Sequence, residues 1–417
     1  MRMMEKQTGR DAESRGMPPS QGPLVGVRVI DLGTMFAAPF AATLLGDFGA
    51  DVIKVELPGR GDTMRGTPPV SQGISGLWAA MARNKRSISL DIRKDKGREI
   101  LKRLIASAHV VIENFRPGTL ERWDLGFQVM KEVNPRIVLV RISGYGQTGP
   151  YAQKAGFAPV AAAFSGLTFM QGEPGRAPVG PPAGMVDYMG GIFGTLGALM
   201  ALHHVNMNGG EGQEVDVSLY ESVFRFFEAM VADYDLLGRV RSRTGQMGQG
   251  SMPSGIYLCR DGKWVSMGAF TDPTFIRLAD AMGRPDLPAN PRFDTNDHRS
   301  KNREEIDAIV REWFSRHTMV EAMELLDRNG VPAAPVNSAV EIFQDPHFKA
   351  RGNLLRVEHP VLGEITMPGI VPRFSATPGV VRFPGPVRIG EHNLEIYHQE
   401  LGISLEELEI LRSEGVI

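Results

Sequence analysis

Asp187 stands at the mouth of an apolar run. It lies in Gly180-Pro-Pro-Ala-Gly-Met-Val-Asp187-Tyr-Met-Gly-Gly191, followed by Ile192-Phe-Gly-Thr-Leu-Gly-Ala-Leu-Met-Ala-Leu202, with no further charge before His203. A carboxylate at the start of a helix feels the positive end of the helix dipole, worth about 0.3–1 kcal/mol when exposed and up to ~2 kcal/mol when partly buried. That favours the ionised form, which a carboxylate nucleophile needs. Taken alone, the same residue also reads as an N-cap, a position Asp favours.

Three further stretches carry chemistry. Arg83-Asn-Lys-Arg-Ser87 precedes Ile88; in a loop, Lys85 and Arg86 could meet phosphates or simply form a solvated charge run. Glu113-Asn-Phe-Arg-Pro-Gly118 follows an apolar strand directly. There Phe115 can stack on a base and Arg116 or Arg122 can pair with phosphate, a plain Pro-Gly turn being the alternative. Ser143-Gly-Tyr-Gly-Gln-Thr-Gly-Pro150 also follows a strand, and its glycines let backbone N–H groups approach a ligand closely. Two glycine-bearing loops at successive strand ends, then an Asp opening a helix, form a constellation that a core does not require.

The elements that must position these residues alternate. Val27–Asp31, Asp51–Glu56, His109–Glu113 and Arg136–Ile142 read as strands, and Ala37–Phe48 and Asp95–Ser107 as helices, the second with Ile100, Leu101, Leu104 and Ile105 on one face. Strands separated by helix-length segments imply a parallel, doubly wound sheet with its ligand at the carboxyl ends of the strands. The small-residue helix occupies 180–206, and a strand over Glu214–Ser218 leads into a long helix over 219–237. A polar stretch over 238–253 reads as an inter-domain crossing or mobile loop. Beyond it a hairpin turns at Asp261-Gly262, helices occupy 272–282, 302–316 and 318–329, and extended stretches flank Leu362-Gly363. Short helices over 393–401 and 404–413 close the chain.

Composition excludes several classes. With 417 residues and 42% hydrophobic content the chain suits two domains. A net charge of -2 gives no footprint for nucleic acid or an acidic membrane. Residues 1–22 read as a disordered tail without a signal peptide. No membrane span is expected, because the 192–202 run is short and broken by glycine, so a buried helix is the reading. The first strand runs into Asp31-Leu-Gly-Thr-Met-Phe-Ala-Ala-Pro-Phe40, with one glycine where a dinucleotide fold would carry G-x-G-x-x-G. No P-loop pattern is present, and the nine histidines show no H-E-x-x-H spacing, so no metal site is expected. The single Cys259 excludes an intrachain disulfide and fits a reducing cytoplasm.

Taken together these blocks resemble the class III CoA-transferase family, which includes formyl-CoA transferase and the carnitine CoA-transferases. The resemblance is carried by Gly26–Leu32, Gly49–Glu56, Asn84-Lys-Arg-Ser87, Glu113–Gly118, Gly144–Pro150, the Asp187 block, Gly212–Ser218 and Gly390-Glu-His392, and runs from about residue 23 to the carboxyl terminus. It implies an α/β fold: a Rossmann-like doubly wound large domain over 23–237, a linker over 238–253, a smaller inserted α+β domain over 254–335, and a return segment over 336–417 that completes the large domain. It also implies a cytoplasmic, interlocked homodimer.

The implied activity is CoA transfer from an acyl-CoA to a small carboxylic acid, with no permanently bound cofactor, metal, nucleic acid or membrane. The residue matching Asp187 is the family's nucleophile, forming acyl-aspartyl anhydride and aspartyl-CoA thioester intermediates. Carried over one at a time, Phe36 and Ala37 match CoA contacts, and Asn84 and Lys85 match adenine and phosphate contacts. Asn114, Phe115 and Arg116 match a CoA pocket, Arg122 a phosphate contact, and Tyr145 and Gly146 a loop near the pantetheine arm. Formyl-CoA transferase has Gln at the position of Phe36 and Arg at that of Pro58; Arg60 stands nearby to supply that charge. The family's shielding glycine loop has its nearest counterpart in Gly248-Gln-Gly250. The same fold hosts α-methylacyl-CoA racemases, whose Ala-Gly-His motif reads Ala155-Gly156-Phe157 here; phenylalanine cannot exchange protons, which removes one base of a two-base racemisation. A catalytically inactive CoA-binding protein is the other alternative.

Overall fold

The structure is a computed structural model that describes residues 22–248 and 250–417. Residues 1–21 of the expected amino-terminal tail over 1–22, and Gln249 of the candidate glycine loop, lie outside the described residues. The chain divides into two compact units: one comprises the described chain up to Gln153, Asp187–Val217 and Leu355–Ile417, the other Lys154–Val186 and Ser218–Leu354. The second unit thus begins well before residue 254 and takes in stretches that the sequence assigns to the large domain.

In the first unit, β1 (Arg28–Asp31), β2 (Asp51–Glu56), β3 (Lys85–Ser89), β4 (Val110–Glu113), β5 (Val138–Ser143) and β6 (Glu214–Ser218) form one six-stranded sheet ordered β3-β2-β1-β4-β5-β6. The pairings of β1 with β2 and β4, of β2 with β3 and of β4 with β5 are parallel. The order reverses between β1 and β4, the switch point at which doubly wound sheets open a crevice. Strands with both faces covered must be apolar throughout, and Val29, Ile30, Val52, Ile53, Val110, Val111, Ile112 and Val138–Val140 are all buried. Each such side chain contributes about 1.5–3 kcal/mol. Two helices, α1 (Ala37–Asp47) after β1 and α2 (Asp95–Ala106) after β3, cover the sheet, and Ile100, Leu101, Leu104 and Ile105 face inward as their spacing predicts.

Strand β3 departs from expectation. Arg83–Ser87 reads as a loop because three cations in five residues look solvated. In the fold, Lys85–Ser89 is the edge strand of the sheet. Arg86 pairs with Asp51 at 2.6 Å and Glu395 at 2.8 Å, and with Glu400; Lys85 pairs with Asp31 at 2.9 Å. The carboxylates that make burial of these cations tolerable come from β1, β2 and a helical turn some 300 residues away in sequence, which no local pattern reports.

The small-residue helix, α3, runs Met185–Met207. It starts five residues later than the 180–206 expected, and the glycines of the apolar run do not interrupt it. Among the described residues this one helix is long and apolar enough to cross a membrane by length and composition, with 39% of that stretch buried. The glycines serve close packing: a Cβ at Gly191 would sit 2.8 Å from the carbonyl oxygen of Ala37, one at Gly194 2.8 Å from Ile142, and one at Gly197 2.5 Å from Val215. The opposite face leaves Ile192, Leu196, Leu199 and Met200 exposed, so the helix is buried on one side only.

In the second unit, β7 (Ser254–Leu258), β8 (Trp264–Gly268) and β9 (Ala333–Pro335) form an antiparallel sheet ordered β9-β8-β7. Gly262 supplies the positive φ of +77° that the β7–β8 turn needs. Helices α4 (Asp272–Ala281), α5 (Arg303–Arg316) and α6 (Met319–Arg328) enclose a core of Tyr257, Val265, Phe275, Leu278, Phe314 and Leu326. A capping box of Thr318 and Glu321 starts α6. The expected continuous helix over 219–237 is broken: Phe226 and Phe227 donate to the carbonyls of Val223 and Phe224, three residues back, and this tighter turn ends the first segment at Phe224.

Candidate active site

Because α3 begins at Met185, Asp187 is its third residue and not its N-cap; Gly184, at φ +80°, precedes the helix. The carboxyl is half-buried and makes no hydrogen bond or ion pair among the described residues. Burial pushes its pKa up to about 6. The dipole alone predicts an unusually acidic group; desolvation outweighs it. At neutral pH the group is still ionised, but its anion is poorly solvated, which suits attack on a carbon centre.

The turn carrying Asp187 rests on the start of α1. Tyr188 packs edge-on against Phe40 with centroids 4.7 Å apart and against Phe36 at 6.2 Å. The bare Gly191 lets the two helices approach at Ala37. Phe36 and Ala37 are therefore brought beside the Asp187 turn by helix packing, not by sequence proximity.

A cavity of about 350 Å³ lies at the carboxyl ends of β1–β4. It is lined by Leu32 and Thr34 after β1, Glu56 and Leu57 at the end of β2, Leu90–Ile92 after β3 and Phe115 after β4, with Arg60, Asp62 and Trp123. Phe115 meets Trp123 edge-on at 5.4 Å, giving the cavity an aromatic wall. Lys54, Glu56 and Asp62 of its lining belong to a buried ionic network. Lys54 pairs with Asp62 at 3.0 Å and Asp31 at 3.6 Å, Lys85 donates to Asp31 at 2.9 Å and to the Pro39 carbonyl at 2.6 Å, and Glu56 accepts from Arg65 at 2.7 Å and Ser87 at 2.5 Å. Three cations meet three carboxylates, so the network offers a ligand no net charge. Burial pulls the Lys54 ammonium down, but Asp31, Asp62 and Glu56 more than reverse it and leave its pKa raised. Burial lowers that of Lys85 against the pull of Asp31.

The cations free to meet an anion are Arg60 at the cavity and Arg116 and Arg122 around the turn after Phe115. All three are exposed and none pairs with a carboxylate among the described residues; Arg122 donates only to Thr119 Oγ1, at 2.9 Å.

The expectations for Asn84 and Lys85 are revised. Both are buried. The Asn84 amide donates to Asp47 at 3.0 Å and the Val380 carbonyl at 2.9 Å and accepts from the Arg382 N–H at 2.7 Å. Their polar atoms hold polypeptide and leave no face for adenine or phosphate. Tyr145 and Gly146 follow β5 and do not line the cavity; Gly146, at φ +86°, donates to Ser143 Oγ at 3.0 Å. Asn114 sits beside the cavity and holds Thr34. Sequence reasoning missed Leu57, Asp62, Trp123 and Leu90–Ile92. The end of β2 is legible in the sequence as a strand end; the end of β3 is not, since the charges of β3 hide the strand itself.

A doubly wound sheet with a crevice at its switch point defines an α/β fold, and a half-buried carboxylate without a partner among the described residues at a helix start is a candidate for chemistry. The family model for CoA-transferase family III matches residues 24–393, and the chain belongs to that family. It is 43% identical over 396 residues to succinyl-CoA–D-citramalate CoA-transferase of Chloroflexus aurantiacus, covering 95% of this chain and 98% of that protein. It is 44% identical over 400 residues to the succinyl-CoA–L-malate CoA-transferase beta subunit of the same organism, with 95% and 98% covered. Among solved structures, a CaiB/BaiF family protein from Brucella suis matches with a TM-score of 0.79 at 31% identity, over 91% of this chain and 99% of that one.

Proposed function

We propose that the protein moves CoA from succinyl-CoA to a small dicarboxylic or hydroxy-dicarboxylic acid through covalent intermediates on Asp187. The observation that carries this reading is the half-buried Asp187 carboxyl, without a partner among the described residues, on the first turn of α3 beside Phe36 and Ala37. The acyl chemistry follows from the named activities of the two Chloroflexus relatives.

In this mechanism an Asp187 oxygen attacks the thioester carbonyl, the C–S bond breaks, and CoA leaves as thiolate, giving an acyl-aspartyl anhydride. The thiolate attacks the aspartyl carbonyl and releases the donor acid. The acceptor carboxylate then displaces CoA from aspartyl-CoA, forming a second anhydride, whose acyl carbon the thiolate attacks to give the new acyl-CoA and free Asp187. Covalent catalysis thereby divides one difficult exchange into easier steps. CoA is held with its base against Phe115 and Trp123 and its phosphates near Arg60, Arg116 and Arg122. Its pantetheine arm runs past Thr34–Ala37, with Tyr145 and Gly146 along the arm. The apolar face of α3 formed by Ile192, Leu196, Leu199 and Met200 suits contact with a second copy in a homodimer.

The test is incubation of the pure protein with succinyl-CoA and a panel of free acids, read by mass spectrometry, with digestion to find a +CoA or acyl mass on the peptide carrying Asp187. Transfer with such an adduct is expected. Solvent deuterium entering the acyl α-carbon without net transfer would replace this reading with racemisation.

The elevated pKa sets a pH profile. The attacking form is the ionised one, and burial places its pKa at about 6. Transfer rate under limiting acyl-CoA should be flat above about pH 7 and fall about tenfold per unit well below pH 6. A profile unchanged down to pH 4.5 would show that Asp187 does not attack as a carboxylate of raised pKa.

A further inference from the structure

The loop from Gly33 to Phe36 joins the cavity to the Asp187 turn: Thr34 lines the cavity and Phe36 packs on Tyr188. It is held at every step. The Gly33 N–H donates to Asp31 Oδ1 at 3.0 Å and its carbonyl accepts from Lys54. The Thr34 N–H donates to Asn114 Oδ1 at 2.8 Å and the Thr34 carbonyl accepts from Asn114 Nδ2 at 2.8 Å. The Met35 N–H donates to Asp62 Oδ1 at 3.1 Å. Met35 itself is left-handed, at φ +64°. A non-glycine residue persists there only when its surroundings over-determine it, at a cost of order 1–3 kcal/mol.

Most of these restraints are buried, but Thr34 and Met35 are exposed, and Asn114 is the one side chain that grips the loop from β4. Both hydrogen-bonding ends of its amide are engaged, the oxygen accepting and the nitrogen donating, on the N–H and carbonyl of a single residue. Asn114 itself is fixed by its neighbour: the Glu113 carboxylate accepts from the Phe115 N–H at 2.5 Å and from Arg141 at 2.7 Å, which sets the backbone on either side of Asn114.

We propose that Asn114 is a positioning residue: it staples the loop after β1 to the loop after β4 across the switch point and holds the strained Thr34–Phe36 path in the shape that presents the thioester to Asp187. This rests on the transferase reading and deepens it. Asn114 then acts on the reacting end of the substrate through Thr34 and Phe36, and its loss affects turnover as well as binding. A plain CoA contact at Asn114 would affect binding alone.

The test uses the full-length protein with Asn114→Ala and, in case the first variant folds poorly, Asn114→Asp. The latter keeps an acceptor for the Thr34 N–H but sets a carboxylate against the Thr34 carbonyl. Amide exchange is measured on the ligand-free proteins, and kcat and KM for succinyl-CoA on both. Removing two hydrogen bonds should cost kcat/KM about tenfold to a hundredfold, shared between kcat and KM, with faster exchange confined to the peptide carrying Gly33–Phe36. Unchanged exchange in that peptide, or a rise in KM with kcat intact, overturns the proposal. If the wild-type protein transfers no CoA, the transferase reading fails, and the exchange measurement still decides the staple.

Discussion

Asp187→Asn is expected to abolish CoA transfer, with kcat lowered by on the order of 10⁴-fold or more, the scale seen when a covalent nucleophile is removed. The amide is nearly isosteric and cannot form an anhydride. CoA binding should survive, because the cavity, its aromatic wall and Arg60 all lie at the strand ends away from this turn. The same variant carries a stability signature. The folded carboxyl holds its proton up to about pH 6, against an ordinary value of 3.8, so the ionised form is disfavoured in the folded state. That penalty is fully present above about pH 6 and disappears below about pH 4, where both states are protonated. Asp187→Asn should therefore unfold at a higher temperature than the wild type at pH 7.5, with the gap closing toward pH 4. Activity lost with stability gained is the expected pattern for a functional group held at a structural cost. Full transfer by Asp187→Asn would remove the nucleophile from Asp187.

Lys85→Met should strongly destabilise the first unit, because it leaves the fully buried Asp31 short of its closest cation. Breaking a buried pair from one side costs about 3–5 kcal/mol. Lys54, at 3.6 Å from Asp31, is already engaged by Asp62. The Pro39 carbonyl also loses its lysine donor. The measurement is the urea midpoint by far-UV circular dichroism, alongside KM for acyl-CoA on whatever fraction folds. The resemblance to the transferases casts Lys85 as a phosphate contact, which predicts a raised KM at nearly unchanged stability. The buried pair predicts the reverse: a large fall in the midpoint and, for the folded fraction, little change in KM.

This contrast shows where sequence reasoning succeeds. Elements whose identity rests on short-range pattern were legible: β2 and β6 carry the bounds expected, and the inward face of α2 follows from its spacing. The Asp261-Gly262 turn was readable because only glycine accepts that φ at low cost. Phe115, matched to the ligand site by resemblance, and Arg60, a stand-in for the Arg that formyl-CoA transferase has at the position of Pro58, both line the cavity. Asn84 and Lys85 share a motif with such residues yet point inward, since a motif names neighbours in the chain and not the direction of a side chain. Residues 57, 62 and 90–92 reach the cavity only because β2 and β3 lie side by side in the sheet.

The sequence by itself determined the class of fold, the family and the carboxylate worth testing, because alternating strands and helices, short motifs in order and a charge opening an apolar run are all local facts. The tertiary structure decided the state of that carboxylate. Whether Asp187 is a cap or a half-buried group of raised pKa depends on where α3 starts and on how closely Gly191 lets it approach α1. It likewise decided which cations are free. Lys85 and Arg86 find carboxylates on other elements, and Arg60, Arg116 and Arg122 find none among the described residues. Desolvation and charge pairing are set by what packs around a group in three dimensions, and its neighbours along the chain report little of that.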